Sequence, residues 1–313
     1  MSENLIQSQF SQVSVESTLE KIIQFPLSRL IIAILFIIPP ALIVMSIDLM
    51  VPSDISNNLE KYITDFKSLV FFILLYIFYK FYLILVEKRK NSEMSFNKCG
   101  RELFAGLAIG AGLLLTVVSV LAILGYFKID VFGNDYASLW HGFFTFGSAA
   151  FFEEIFFRLI VFKLTEELLG SWTALVIQAI LFGLAHFGNP GADIISTVSI
   201  MLSAGLMLTV IFMYTRRIWL ILGLHFIWNY LQASIFGIPV SGNKVAGLLE
   251  SSLSGPELLS GGNFGVEASI LTVIFCLIVW AYYMRKVILA KNYIQPLWKR
   301  EALSIEVSDI ADY

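Results

Sequence analysis

Phe151-Phe152-Glu153-Glu154-Ile155-Phe156-Phe157-Arg158 sets two adjacent carboxylates and a guanidinium inside an otherwise apolar, aromatic run. A charge buried in an apolar helix is expensive, so it is rarely idle. On a helix, Glu154 and Arg158 are four residues apart, share a face and can pair. Glu153 is turned from Glu154 by about 100°. One carboxylate is therefore neutralised by Arg158, while Glu153 is spare and free to face a cavity.

The surrounding composition says what kind of medium that run sits in. The 313 residues are 58% hydrophobic and only 14% charged, with a mean hydropathy of +0.80. Soluble globular chains are about a quarter charged, which puts this one in the membrane class. Cys99 and Cys276 lie far apart, which argues against a disulfide framework or a cysteine-ligated metal. Met1 to Gln24 is polar and lacks a basic region followed by a short apolar core, so no cleaved signal peptide is expected and the first span serves as insertion signal.

A spanning helix needs about 20 mainly apolar residues. Segments 28–47, 68–86, 103–126, 137–163, 171–188, 192–214, 218–237 and 267–285 qualify. The fold class expected is an all-α membrane protein, a polytopic bundle of about eight transmembrane helices. Pro39-Pro40 should kink or interrupt the first, and Gly170 and Asn189-Pro190-Gly191 separate the fourth, fifth and sixth. With the N-terminus inside, 15 of the 21 Lys and Arg residues fall in inside segments and four in outside ones, which predicts both termini cytoplasmic. In a bacterium the membrane would be the plasma membrane. The layout is a cytoplasmic segment 1–25, three helices over 26–127, a core over 128–240, a flexible Gly/Ser-rich external loop 241–266, and a last helix with cytoplasmic tail over 267–313. The tail's acidic end predicts disorder.

Further polar residues stand in the later spans. His186 closes Phe182-Gly183-Leu184-Ala185-His186, and His225 opens His225-Phe226-Ile227-Trp228-Asn229 with Asn229 one turn on. A lone intramembrane His or Asn is commonly an interhelical hydrogen-bond partner. A set drawn from three spans instead marks a path or a site. A carboxylate with an imidazole can hold and deprotonate a water. A second imidazole and an amide can donate to a developing oxyanion. Alternatively, Glu153, His186 and His225 could ligate zinc or another divalent metal; a metal-free mechanism is equally open. Either route is hydrolysis, most simply of a peptide bond. Depth gives a crude check: from the cytoplasmic ends Glu153 comes out roughly 15 Å deep, His225 roughly 10 Å and His186 roughly 22 Å, so His186 fits only if its helix is tilted or starts lower.

Other designs fail on residues. There is no His-Glu-x-x-His, no Gly-x-Gly-Asp and no Gly-x-Ser-x-Gly, and neither nucleotide nor nucleic-acid binding has support. His141 reads as an interface residue, Lys80 as a snorkelling one, Gln178 as an interhelical contact that could line the cavity, and Ser203 and Gly205 as close-packing positions. The rival class is a non-enzymatic transporter, channel or scaffold using the same cluster, although no pair of matching broken helices is found.

In these residues the sequence resembles the CAAX prenyl endopeptidase and bacteriocin-processing (CPBP, or Abi) family of intramembrane proteases. That family shows Glu-Glu-x-x-x-Arg, then Phe-x-x-x-His, then His-x-x-x-Asn or Asp. Glu153-Glu154 with Arg158, Phe182 with His186, and His225 with Asn229 match in that order. The resemblance implies a helical bundle around a proteolytic cavity, with Glu153 as water-activating base, His186 as its partner, His225 and Asn229 on the oxyanion, and Glu154, Arg158 and Phe182 supporting. It implies membrane lipids and a peptide or lipidated-protein substrate as partners. Members are commonly labelled metalloproteases, and a metal-free glutamate mechanism has also been argued. Eukaryotic members trim prenylated CAAX proteins.

Overall fold

The computed structural model describes residues 18–52, 56–133 and 136–300. Residues 1–17 of the expected N-terminal segment and the acidic tail end, 301–313, lie outside the described residues. A short helix, Thr18–Gln24 (α1), leads into Pro26–Asp48 (α2), whose first turn uses the fixed φ of Pro26. Pro39-Pro40, expected to kink or interrupt this helix, leave it continuous; helices in membranes tolerate proline where neighbours make up for the freed backbone groups. Asn57–Leu85 (α3) is capped by Ser56, whose Oγ accepts from the Leu59 N–H at 3.4 Å. Cys99–Ile123 (α4) follows.

The described residues are mostly helical, as expected, with one strand pair as the departure from an all-α chain. Phe127–Phe132 (β1) pairs antiparallel with Leu249–Leu253 (β2), with a bulge between Ile129 and Val131. The alternation Phe127-Lys128-Ile129-Asp130-Val131 is the period of a strand rather than a helix.

The next helix, α5, runs through Ala137–Glu153, a π-helical stretch Glu154–Phe162, and Lys163–Leu169. Ser171–Ala185 forms α6. Ile194–Thr215 forms α7, with a π-helical turn at Met201–Gly205. Trp219–Tyr230 forms α8, continued as a π-helical turn over Leu231–Ile235. Glu257–Ser260 (α9) is one turn, and Ile270–Ala290 (α10) ends the bundle.

A helix therefore stands at each expected segment, but five are long and apolar enough to cross a membrane by length and composition: Pro26–Asp48, Leu59–Leu85, Cys99–Ile123, Ile194–Thr215 and Ile270–Ala290. The three outside that set are α5, which carries the charges, α6, which has 15 residues, and α8, whose α-helical part has 12. They are also the helices that carry the acidic and imidazole side chains. In α7, 56% of the most apolar window is buried, against 11% in α2, so α7 is central and α2 peripheral. Leu27, Ile31, Leu35 and Leu42 of α2 face outward, as apolar surface does where its medium is lipid.

Small residues set the closest crossing. A Cβ on Gly106 of α4 would fall 2.1 Å from the Leu220 carbonyl oxygen of α8, and one on Gly223 would fall 2.4 Å from the Leu103 oxygen. The two helices touch backbone to backbone, as glycines permit in membrane bundles. Ion pairs tie one end together: Arg216 Nη2 donates to Glu166 Oε1 at 2.9 Å, Arg217 Nε to Glu102 at 2.7 Å, and Arg89 Nη1 to Glu93 Oε2 at 2.9 Å, with Lys163 also on Glu93.

The segment 241–266, expected as a flexible external loop, is folded. It contains β2, α9 and the 3₁₀ turn Gly262–Phe264, and it buries Phe264 and Val266 completely or nearly so. Its glycines make tight turns rather than slack: Gly265 has φ of +105°, and a Cβ there would lie 2.2 Å from the Pro239 oxygen. The last helix starts at Ile270, three residues later than expected. Ser269 caps it, its Oγ accepting from the Leu271 N–H at 3.1 Å. Glu267 lies in the 3₁₀ turn Val266–Ala268 before that helix.

Candidate active site

The helices α5 and α6 meet at Gly170, whose φ of +79° allows the sharp reversal. Glu153 lies 17 residues before Gly170 and His186 lies 16 after it. An antiparallel pair with equal arms brings them level. The depth mismatch expected for His186 arose from ending α5 at 163, whereas the helix continues to Leu169. Glu153 Oε2 stands 3.9 Å from His186 Nε2 and 3.8 Å from His225 Nε2. Three helices thus aim one carboxylate oxygen and two ring nitrogens at a common space. Glu153 Oε2 is buried and has no hydrogen-bond partner among the described residues.

Each imidazole is fixed from behind. His186 Nδ1 lies 2.7 Å from the Phe182 carbonyl oxygen, which can only accept, so Nδ1 carries the proton and Nε2 turns its lone pair toward Glu153. The Phe-x-x-x-His spacing is that of a backbone oxygen one turn below the ring. His225 Nδ1 lies 2.7 Å from Glu154 Oε1, which holds that ring in the same orientation. Glu154 is wholly buried, as is Arg158, whose Nη1 donates to the same Oε1 at 3.1 Å. Arg158 Nη2 donates to the Ala204 oxygen at 3.0 Å, and its guanidinium stacks 4.4 Å over the Phe182 ring. The pairing of Glu154 with Arg158 that the sequence predicts is present, beneath the cavity rather than on it.

A cavity of about 170 Å³ opens over these groups. Glu153, Phe182, His186, His225 and Asn229 line it; Glu154 and Arg158 do not. Gln178 lies elsewhere, fully buried, accepting from Thr209 Oγ1 at 2.5 Å as an interhelical contact. His141 is at the other end of α5, 2.6 Å from Asp65 Oδ2 on α3. Ser203 lines the cavity, and a Cβ on Gly205 would lie 3.1 Å from Ala179, a close crossing of α6 and α7.

Among the lining residues that escape a reading of the sequence are Ser241, in the folded segment after α8, and Glu267, in the turn before α10. Glu267 is 8% exposed. Its Oε2 accepts from the Ser241 N–H and, at 3.1 Å, from Ser241 Oγ. Burial pushes the Glu267 carboxyl up to about 7; the Ser241 hydrogen bonds oppose that rise without cancelling it. The one signal in the sequence is a single Glu set in the run Gly265-Val266-Glu267-Ala268.

Glu153, His186 and His225 are donors of the kind catalytic zinc uses. Tetrahedral ligands at about 2.1 Å stand about 3.4 Å apart, and here the carboxylate-to-ring separations are 3.8 and 3.9 Å. Among the described residues no three His, Cys, Asp or Glu side chains group as a metal site. These separations are about 0.4–0.5 Å wider than tetrahedral ligation.

Comparison with known proteins bears on the same stretch. Residues 135–231 match the family model described as type II CAAX prenyl endopeptidase Rce1-like, a protease family. No curated protein and no solved structure matches the chain. The matched residues hold Glu153, His186, His225 and the groups that fix them, while Ser241 and Glu267 fall beyond it. Over residues 135–231, and there alone, this helical chain is similar to the Rce1-like proteases, which supports the resemblance to the CPBP family.

Proposed function

We propose that the chain is an intramembrane endopeptidase that hydrolyses a peptide bond with a water activated by Glu153, without a metal. The observation that carries this is the Glu153 carboxylate oxygen, unpartnered and 3.8–3.9 Å from two imidazole nitrogens in one cavity. A water there can give a proton to Glu153 while His186 Nε2 accepts its second hydrogen, which aims the oxygen lone pair at a carbonyl carbon. His225, protonated at Nε2, and the Asn229 amide donate to the oxyanion that forms. Glu154 holds the His225 ring through Nδ1 so that Nε2 faces the cavity, and Arg158 holds Glu154 in place. The substrate is a membrane-associated peptide, of CAAX type or otherwise. On this reading α5, α6 and α8 also cross the bilayer, giving about eight spans with both termini cytoplasmic, as the Lys and Arg distribution supports.

The test is cleavage of CAAX-type and generic membrane peptides by the purified protein in liposomes, with Glu153→Gln and His186→Ala alongside and with and without a chelator. Loss of at least about 10²-fold in both variants, with folding intact and no chelator effect, is expected. Chelator sensitivity would overturn the metal-free step. Solute flux that the variants abolish, with no hydrolysis, would favour a transporter instead.

A further inference from the structure

Peptide hydrolysis needs an acid as well as a base, because an amide nitrogen leaves only when protonated. The Nδ1 protons of His186 and His225 are committed to the Phe182 oxygen and to Glu154, and the Nε2 proton of His225 is held on the oxyanion. Among the described residues no Lys or Arg lines the cavity. The remaining carboxyl there is Glu267, and the reading above leaves it unused.

Its setting is built for a fixed orientation. Ser241 has φ of +46°, a conformation that is strained for a non-glycine residue and persists where surroundings enforce it. That conformation turns both the N–H and the Oγ of Ser241 onto Glu267 Oε2. The Ser241 carbonyl is held in turn by Asn189 Nδ2 at 2.9 Å, three residues after His186. With Oε2 anchored by two donors, Oε1 is the oxygen left to carry a proton. We propose that Glu267 protonates the leaving amine of the scissile peptide bond, with Ser241 as its positioning residue.

This rests on the peptidase reading, and the step balances. Glu153 takes a proton from water as the water oxygen bonds the carbonyl carbon. The C–N bond then breaks as Glu267 gives its proton to nitrogen. The products are a carboxylic acid and an amine, and the proton on Glu153 returns to Glu267 through solvent. A carboxyl near 7 suits the task, since about half of it is protonated at neutral pH. Across the cavity Glu153 raises it and His225 lowers it. Of the elements packed on its turn, Ile194–Ile200 and the first turns of α10 carry no charge, Asp193 caps the former, and α9 contributes Glu257.

The test compares wild type with Glu267→Gln, Glu267→Asp and Glu153→Gln on a membrane peptide and on an aryl ester of the same acyl segment. An aryl oxide leaves without protonation. Glutamine can still accept from Ser241, so thermal stability should hold. The expected result is a kcat for Glu267→Gln about 10²-fold down on the peptide with KM little changed, and less than about threefold down on the ester. Wild-type kcat should fall as pH rises through about 7; Glu267→Gln should lack that limb and Glu267→Asp should keep it. Equal losses on both substrates, or an unchanged kcat and alkaline limb, would overturn the proposal while leaving the peptidase reading intact. Peptide cleavage that survives Glu153→Gln, or a wild type that cleaves nothing, would overturn both.

Discussion

Replacing Arg158 with Met keeps most of the side chain's volume and removes its charge. Arg158 and Glu154 are both 0% exposed, so Glu154 would be left as an uncompensated charge in a dry interior. Breaking such a pair costs about 3–5 kcal/mol, most of it from the stranded partner rather than from the lost attraction. The double variant Glu154→Gln/Arg158→Met strands no charge. It loses the hydrogen bond to the Ala204 oxygen and the contact over Phe182, while a Gln oxygen still accepts from His225 Nδ1. That residual loss is about 1–2 kcal/mol. At about 2–4 °C per kcal/mol, the single variant should melt roughly 10 °C below wild type and the double variant should recover more than half of that. The assay is thermal unfolding of the three purified proteins in one detergent. A single variant as stable as wild type, or a double variant less stable than the single, would refute the reasoning.

Two further outcomes follow from other parts of the molecule. Gly106→Ala drives a methyl into the Leu220 carbonyl at 2.1 Å; α4 and α8 must separate, at about 1–3 kcal/mol or more, and hydrolysis should fall because α8 carries His225, whereas Gly112→Ala, with open space around it, should be neutral in both assays. At Glu93, in the turn between α3 and α4, burial raises the carboxyl, but Lys163 and Arg89 together lower it further, to about 2. A depressed carboxylate contributes stability that is complete above its unfolded value of about 4.5 and lost as pH falls toward 2; thermal stability should decline over that window in wild type, and much less in Glu93→Gln.

What the sequence made legible follows from what helical periodicity can carry. Four-residue spacings put Glu154 beneath Arg158 and His225 beneath Asn229, and those relations need no knowledge of the fold. The meeting of Glu153 with His186 also lay in the sequence, since Gly170 makes the two arms equal, but only once α5 is followed through the charged Lys163–Leu169 turn. That turn looks like a cytoplasmic end by composition. The three π-helical stretches, Glu154–Phe162, Met201–Gly205 and Leu231–Ile235, left no legible signal. Over five to nine mostly apolar residues, a wider turn and an ordinary one bury much the same side chains. Glu267 and Ser241 were illegible for another reason: they are brought to the cavity by glycine turns and one strand pair, which carry no period that points back to His225.

The buried pair is the part of the site whose presence most needs a reason. Buried ion pairs are weak stabilisers, and apolar residues of the same volume would often do as well. Stability therefore does not account for Glu154 and Arg158. Orientation does. His225 comes from α8, Glu153 from α5, and the 3.8 Å between them depends on which way the His225 ring faces. Glu154 fixes that face through Nδ1 and so turns Nε2 to the cavity, where the oxyanion forms. Arg158 holds that carboxylate in place from the same turn. Arg158 also reaches α7 through the Ala204 oxygen and α6 through Phe182, whose own carbonyl orients His186. One guanidinium thereby sets the position of both imidazoles. The double variant that regains stability should for that reason remain poorly active, because a neutral amide accepts from His225 more weakly than a carboxylate and holds the ring less firmly.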